Sequence, residues 1–517
     1  MCDEGAMVDF DVIVVGSGIG GMAAALKVAR ADDSVAVLEA APAFGGCMNP
    51  MQKGGYSFHV GVHYLGQLAE GDRFWEILDE IGLADRVEFI ELDPDAIDRY
   101  VFPDFELRLC KGRERFEDQL IELFPGEERG IHKYFEVYGQ VMKATESLLE
   151  VGARPSKLLG WLLRHPIMVK YARVPYQRLL DEVTSDVRLQ TALAAPWFDY
   201  MLPPERASVA YGIATWDHYL SGGYYPSGGG TALRDAFVAA LHEHGAELRS
   251  SSRVTSIDRQ NGEFLVACAD GQKWTSRLVV SNADPVLTLG ELVNPDLVPT
   301  RIARKVYRLR PSASVFGVFL GTDLDLPSFG MTTGHLVHYG RYDINRIFRQ
   351  QMDPESPNVS DCMLMNSPSI RDPEGDVTPS GQHSLEILVG ASYETFEQWA
   401  HLPPGQRGQE YEAFIKGLGD QLISTAERYL PGLSQHLQFI EHITPLSLER
   451  HVNLVQGGIY GPELSPDQLG PGRFPDCTCG VEGLLLAGAG TKGGSVRYSA
   501  TSGVHAGRKA VALLAAG

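Results

Sequence analysis

Residues 9–67 read DFDVIVVGSGIGGMAAALKVARADDSVAVLEAAPAFGGCMNPMQKGGYSFHVGVHYLGQ, and the first half of this stretch decides the fold. Asp11-Val12-Ile13-Val14-Val15 is a short β-branched apolar run, the composition of a buried parallel strand. Gly16, Ser17, Gly18, Ile19, Gly20 and Gly21 follow as G-x-G-x-x-G with one extra glycine. Met22 to Ala31 is rich in Ala and Leu and predicts a helix; Val35-Ala36-Val37-Leu38 predicts a second strand, closed by Glu39. Gly16 permits the tight turn out of the strand, Gly18 lets the backbone approach a pyrophosphate, and Gly21 lets the helix sit close to the sheet. The helix N-terminus offers unpaired N–H groups and a positive partial charge to phosphates. Glu39 stands where an acid accepts hydrogen bonds from the adenosine ribose, and its charge repels a 2′-phosphate, so NAD or FAD is expected rather than NADP.

The residues after Glu39 choose between those two. The run Val35-x-Val37-Leu38-Glu39-Ala40, then Gly45-Gly46, resembles the extended ADP-binding segment of FAD oxidoreductases that include the amine oxidases and phytoene desaturases. Gly61-Val62-His63-Tyr64-Leu65-Gly66 resembles the G-x-H-Y-x-G segment of the retinol saturases and carotenoid isomerases; the chain departs from that pattern at His59 and Cys47. Tyr224-Tyr225-Pro226-x-Gly228-Gly229 resembles the Y-P-x-G-G segment that edges the substrate cavity in those families. Gly483 to Thr491 (GLLLAGAGT) resembles their C-terminal flavin contact, followed by a helix from about Ser499 to Leu514. Lys492, Arg497 and Tyr498 are placed in the intervening loop, where a fixed cation would raise the flavin potential; ordinary loop charge is the competing reading.

The resemblance implies an α/β fold. A discontinuous Rossmann-type FAD domain of the glutathione-reductase kind (8–90, 220–299, 451–517) is interleaved with a mixed α+β substrate domain and helical cap (91–219, 300–450). It implies FAD contacts at Gly16, Ser17, Gly18, Gly20, Gly21, Glu39, Ala40, Gly45, Gly46, Gly61, Val62, His63, Gly488, Ala489 and Tyr498, with Val254 meeting adenine through its backbone. His63, Tyr64 and Tyr225 are candidate proton donors, because hydride addition to a double bond needs a proton at the neighbouring carbon. A structural or flavin-contacting His63 is an equal alternative, and packed core is one for the tyrosines.

Bulk properties bound the rest. At 517 residues the chain exceeds one ordinary hydrophobic core, and 44 % apolar with 21 % charged residues is globular. A net charge of −21 repels phosphate backbones, so nucleic-acid binding is not expected. Seven cysteines do not make a disulfide framework, and Cys477-Thr478-Cys479 lacks companions at metal-ligand spacing, so no metal is expected. Neither a signal peptide nor an apolar run of about 18–20 residues is visible, and the expected compartment is the cytoplasm.

In chain order, helices are predicted over 74–81 and 130–150 and strands within 87–109. In 155–180, Lys157, Arg164, Lys170, Arg173 and Arg178 occur without an acid until Asp181, among Leu158, Leu159, Trp161, Leu162, Leu163, Ile167 and Met168. That reversal of sign suits a peripheral membrane contact or the lid of an apolar tunnel, against the plainer reading of a solvated cap-helix pair broken by Pro166 and Pro175. Strands with turns at Asn261-Gly262 and Asp270-Gly271 are predicted over 246–280, further strands at 314–320 and 385–389, and a helix over 411–429. Residues 351–383, rich in Pro, Asp and Ser, read as surface loop.

One dinucleotide fingerprint means no second nucleotide domain, so electrons are expected from the substrate or an external donor. The expected chemistry is FAD-dependent saturation or isomerisation of a carbon–carbon double bond in an apolar, polyene-like substrate. A desaturase or flavin amine oxidase is the enzymatic alternative, and a non-catalytic FAD-binding escort the other.

Overall fold

In the computed structural model, which describes residues 8–151, 155–373 and 378–516, the apolar run forms strand Phe10–Val15. It lies in the middle of the first sheet, with Val12, Ile13 and Val14 fully buried. It pairs in parallel with Val35–Leu38 and with Lys273–Ser281. Glu247–Arg249 extends the sheet beyond Val35–Leu38, and Leu484–Leu486 extends it beyond the C-terminal half of Lys273–Ser281, both in parallel. The N-terminal half of Lys273–Ser281 instead joins Glu263–Cys268 and Val254–Gln260 in an antiparallel ribbon. This sheet is therefore built from three distant parts of the chain, each ending in the same cleft.

Helix Ile19–Ala29 is buried on nearly every side, which its Ala-rich sequence allows. Helix Val496–Leu514 crosses it at backbone distance: a Cβ on Gly503 would overlap the Gly20 carbonyl oxygen, and one on Gly507 would lie 2.8 Å from that of Ala24. The expected start at about Ser499 is corrected. The helix begins at Val496, because Ser495 caps it by accepting the Tyr498 N–H at 3.1 Å. Arg497 and Tyr498 thus stand in a rigid first turn, not in a loop.

The second sheet runs Leu437–Ile443, Ser314–Thr322, His383–Ala391, Cys362–Asn366, His335–Tyr339, Asp98–Val101, Glu106–Leu109. It is antiparallel except where His335–Tyr339 meets Asp98–Val101. Ser314–Thr322 is buried along its whole length because both faces are covered. Phe316, Val318 and Leu320 pack on helix Gly408–Ala426, while Val315 and Phe319 share a core with Tyr176, Ile213 and Trp216 of the cap. A small sheet of Leu65–Gly66, Gly223–Pro226 and Phe89–Glu91 joins the two units.

One further reading changes. Residues 351–383 are not simply surface loop: Cys362–Asn366 is a buried strand of the second sheet, and Pro368–Arg371 a short helix behind it. The stretch 454–468 touches both units: Glu463 accepts from Arg310 at 2.7 Å and Tyr460 N–H donates to Ser312 at 2.9 Å, while a Cβ on Gly461 would lie 3.1 Å from the Ala489 side chain.

Residues 155–180 form helices Pro155–Arg164, Pro166–Tyr171 and the start of Tyr176–Val183, with Pro166 opening the second and Pro175 preceding the third. The side chains of Lys157 and Leu158 lie outside the described residues. Lys170 and Arg178 both pair with Glu182, so part of the basic run is internally neutralised. Leu159, Leu163 and Val169 are 62, 77 and 67 % exposed, an apolar surface left uncovered among the described residues.

Candidate active site

The glycine loop is shaped by contacts that a side chain would destroy. Gly16 adopts φ +90°. A Cβ on Gly18 would lie 2.7 Å from the Asn282 amide nitrogen, and one on Gly20 would lie 2.6 Å from its amide oxygen and 2.8 Å from the Gly488 nitrogen. A Cβ on Gly21 would overlap the Gly16 carbonyl oxygen. No side chain caps the helix that starts at Ile19, so its first-turn N–H groups face the cradle unpaired. The Asn282 amide oxygen is buried there without a partner.

Glu39 closes the next strand and holds the loop in shape. Its Oε2 accepts from the Ser17 N–H (2.8 Å) and hydroxyl (2.6 Å), and its Oε1 accepts from the Ala41 N–H (2.8 Å), with Ala40 between. Ser17 Oγ in turn accepts from the Gly45 N–H at 3.0 Å. Gly45 (φ +115°) and Gly46 (φ +54°) fold back so that a Cβ on Gly46 would sit 3.3 Å from the Gly18 Cα. On the other side of Glu39, the chain leading into Val254 is bonded alongside it: the Glu39 N–H donates to Arg249, and the Ser252 N–H to Glu39. Unpaired amides, an acid at the strand end and glycines where backbone must come close are the donor set a dinucleotide pyrophosphate and ribose require.

From that cradle residues 45–64 run to a second cluster. Gly61 passes Cys47 so closely that a Cβ would lie 2.5 Å from its carbonyl oxygen, and Val62 is buried. Next come His63 and Tyr64, with Tyr225 on the adjoining strand. Rings pack edge to edge: His63 to His335 at 5.5 Å, Tyr64 to His335 at 4.8 Å and to Tyr219 at 4.9 Å, His59 to Tyr225 at 6.1 Å. Tyr64 donates to Asp98 at 2.5 Å, and the Asp98 carboxylate also accepts from Tyr100 and from the His335 N–H. That bond commits the Tyr64 proton to Asp98. Burial holds the Tyr64 and Tyr225 phenols well above their usual range, and pulls His63 well below and His59 down to about 4. The histidines are therefore neutral imidazoles at physiological pH.

The sequence reading missed five members of this cluster. Arg371 is fully buried; it donates to the carbonyls of Thr333 (2.7 Å) and His63, and stacks on Tyr225 at 5.3 Å. Asp372 accepts from the Gly228 N–H at 2.6 Å. Glu386 accepts from the His59 N–H at 2.7 Å and the Asn366 amide at 3.0 Å. Asp98 and His335 complete it. One signal was available: Glu386 is a lone acid inside the apolar strand Leu385-Glu386-Ile387-Leu388-Val389.

Gly488 (φ +80°) ends its strand against Asn282, and the Ala489 carbonyl accepts from Arg473 at 3.3 Å. Beyond them Arg497 donates to Gln67, whose amide donates to Asp217 at 2.9 Å. Arg497 lies over Tyr498 at 4.3 Å, and its Nε is buried without a partner. Lys492, upstream, is held below its usual range by burial.

Residues 19–514 match the sequence pattern of the flavin-containing amine oxidoreductases. The chain belongs to that family. Its cofactor is FAD, and the cradle just described fits it. Among curated relatives of this flavoprotein, all-trans-retinol 13,14-reductase of Danio rerio is 24 % identical over 476 residues, covering 88 % of this chain and 78 % of the relative. The Homo sapiens protein of that name is 26 % identical over 485 residues, covering 89 % and 78 %. The chloroplastic prolycopene isomerase of Arabidopsis thaliana is 25 % identical over 490 residues, covering 93 % and 78 %. Solved structures share the fold. An oxidoreductase from Methanosarcina mazei superposes with TM-score 0.62 at 16 % identity, covering 95 % of this chain and 98 % of its own. Cyclohexylamine oxidase from Brevibacterium oxydans gives 0.62 at 15 %, covering 98 % and 99 %. This family member is thus a flavin-dependent oxidoreductase, and among its described residues no helix is long and apolar enough to cross a membrane.

Proposed function

We propose that the enzyme reduces or isomerises a carbon–carbon double bond in a conjugated, apolar polyene. The observation that carries this reading is the cluster of His63, Tyr64, Tyr219, Tyr225 and His335, whose neutral rings, tilted or edge-on to one another, offer apolar aromatic surface to a conjugated chain. Retinol and prolycopene, named in the relatives above, are both such molecules. When bound, FAD supplies hydride chemistry. The chain orients the substrate, excludes water and holds the proton that must follow the hydride.

The test is anaerobic. Protein reduced with dithionite should regain its oxidised flavin spectrum on adding a retinoid or cis-carotene, with a matching saturated product, or should isomerise the carotene without net oxidation. Reduced protein that turns over amines and leaves every polyene unchanged would overturn the reading. An external donor reduces the flavin in this scheme. The exposed Leu159, Leu163 and Val169, beside Arg164 and Arg173, support substrate pickup at an anionic bilayer. Leu163→Asp is expected to weaken sedimentation with phosphatidylglycerol vesicles about tenfold, a loss of roughly 1.4 kcal/mol. Equal binding of parent and variant would remove the membrane from this account.

A further inference from the structure

Glu386 has no place in the reading so far, yet it is the most completely enclosed acid beside the rings: its side chain is 0 % exposed. It sits on the central strand His383–Ala391, with Oε2 3.8 Å from His63 Nδ1. That Nδ1 is buried, with the Asn366 side chain also within reach of the ring, while the ring as a whole keeps 20 % of its side-chain surface accessible. The accessible part of the imidazole is therefore on its other edge. A neutral ring with an unprotonated Nδ1 turned to an acid carries its hydrogen on Nε2.

We propose that Glu386 stores the proton taken up by the substrate double bond and delivers it through His63. The proposal rests on the double-bond reading above. As hydride adds to one carbon, the π electron pair moves to its neighbour and forms a C–H bond with the Nε2 hydrogen of His63. The His63 Nδ1 takes the Glu386 proton in the same event, so no imidazolate is left. Glu386 becomes a carboxylate; the accessible His63 Nε2 then takes a proton from solvent and Nδ1 returns its proton to Glu386, which restores both groups. The two electrons come from FAD reduced by an external donor, dithionite in the assay.

The surroundings favour this assignment over Asp98, the carboxyl bonded to Tyr64. Asp98 already accepts bonds from Tyr64, Tyr100 and the His335 N–H, which occupy its oxygens. Glu386 has only the His59 N–H and the Asn366 amide. The charged or titratable groups tied to it are His59 and His63 from one loop, Tyr225 from the joining sheet and Arg371 behind it. Burial pushes its carboxyl up to about 7 against the opposing pull of its two hydrogen bonds and of Arg371. The acid is protonated below that pH, so turnover should fall as pH rises through about 7. The gap to His63 shortens by less than 1 Å to make a hydrogen bond, the kind of tightening expected on substrate binding.

Two readouts test this. Infrared titration of the flavin-loaded protein, without substrate, should show a protonated-carboxyl band that fades as pH rises through about 7 and is missing in Glu386→Gln. Polyene reduction by Glu386→Gln should drop about a hundredfold or more and lose its alkaline limb. Glu386→Asp keeps an acid but withdraws it from His63, so it should keep an infrared band and still turn over slowly. A band that survives in Glu386→Gln, an unchanged pH limb, or Glu386→Asp at the parent rate would each overturn the proposal. If the unaltered protein turns over no polyene, the double-bond reading fails instead, and the two failures are distinct.

Discussion

A Gly21→Ala chain is expected to purify without flavin colour. The added methyl overlaps the Gly16 carbonyl oxygen and lies 3.1 Å from the Asn282 Cβ, and the first of these neighbours is backbone that cannot rotate away. Helix Ile19–Ala29 must then move outward from strand Phe10–Val15, taking its first-turn N–H groups away from the pyrophosphate. Overpacking of this kind costs about 1–3 kcal/mol in a close-packed interior. Here much of it falls on cofactor affinity, because the loop that shifts is the one that meets phosphate. FAD should bind at least about tenfold more weakly, each factor of ten being roughly 1.4 kcal/mol. Fluorescence titration of FAD into the apoprotein measures this; parent affinity in the variant would mean the helix does not carry the phosphates.

Arg371→Met is expected to produce the largest loss of stability of any single substitution at the site. The guanidinium satisfies the carbonyls of Thr333 and His63 and is the cation nearest the enclosed Glu386. Methionine fills much of the volume, but leaves two carbonyls unpaired and, above about pH 7 where Glu386 ionises, its carboxylate uncompensated. Removing one partner of a buried charge arrangement costs about 3–5 kcal/mol. Arg371→Lys should rescue little, since an ammonium cannot span two carbonyls as a planar fork does. The guanidinium also holds the Glu386 carboxyl down, so its loss moves that titration upward from about 7, and the alkaline limb of turnover should follow. Denaturant unfolding of the flavin-loaded proteins is the measurement, and a midpoint equal to the parent's would contradict the role given to Arg371.

The cofactor cradle was legible because each of its demands is met within a short run of chain. Gly16, Gly18 and Gly21 answer a turn, a close approach and a packed helix, all before Glu39 closes the unit. The ring cluster was only half legible. His63, Tyr64 and Tyr225 carry recognisable neighbours, but Asp98, His335, Arg371 and Glu386 come from separate elements that meet only through the second sheet. Each alone resembles an ordinary polar residue. Arg371 was hidden further by the Pro, Asp and Ser around Cys362–Asn366, where composition outweighed a buried five-residue strand. The last helix starts earlier than the sequence suggests because the capping role of Ser495 shows only in the Tyr498 bond.

The contact of Gly503 with Gly20 joins two helices that lie far apart along the chain. A chain carrying the complete glycine fingerprint still lacks the helix that packs on it until Val496–Leu514 has docked. Until then the flank of Ile19–Ala29 is uncovered apolar surface, open to non-native association.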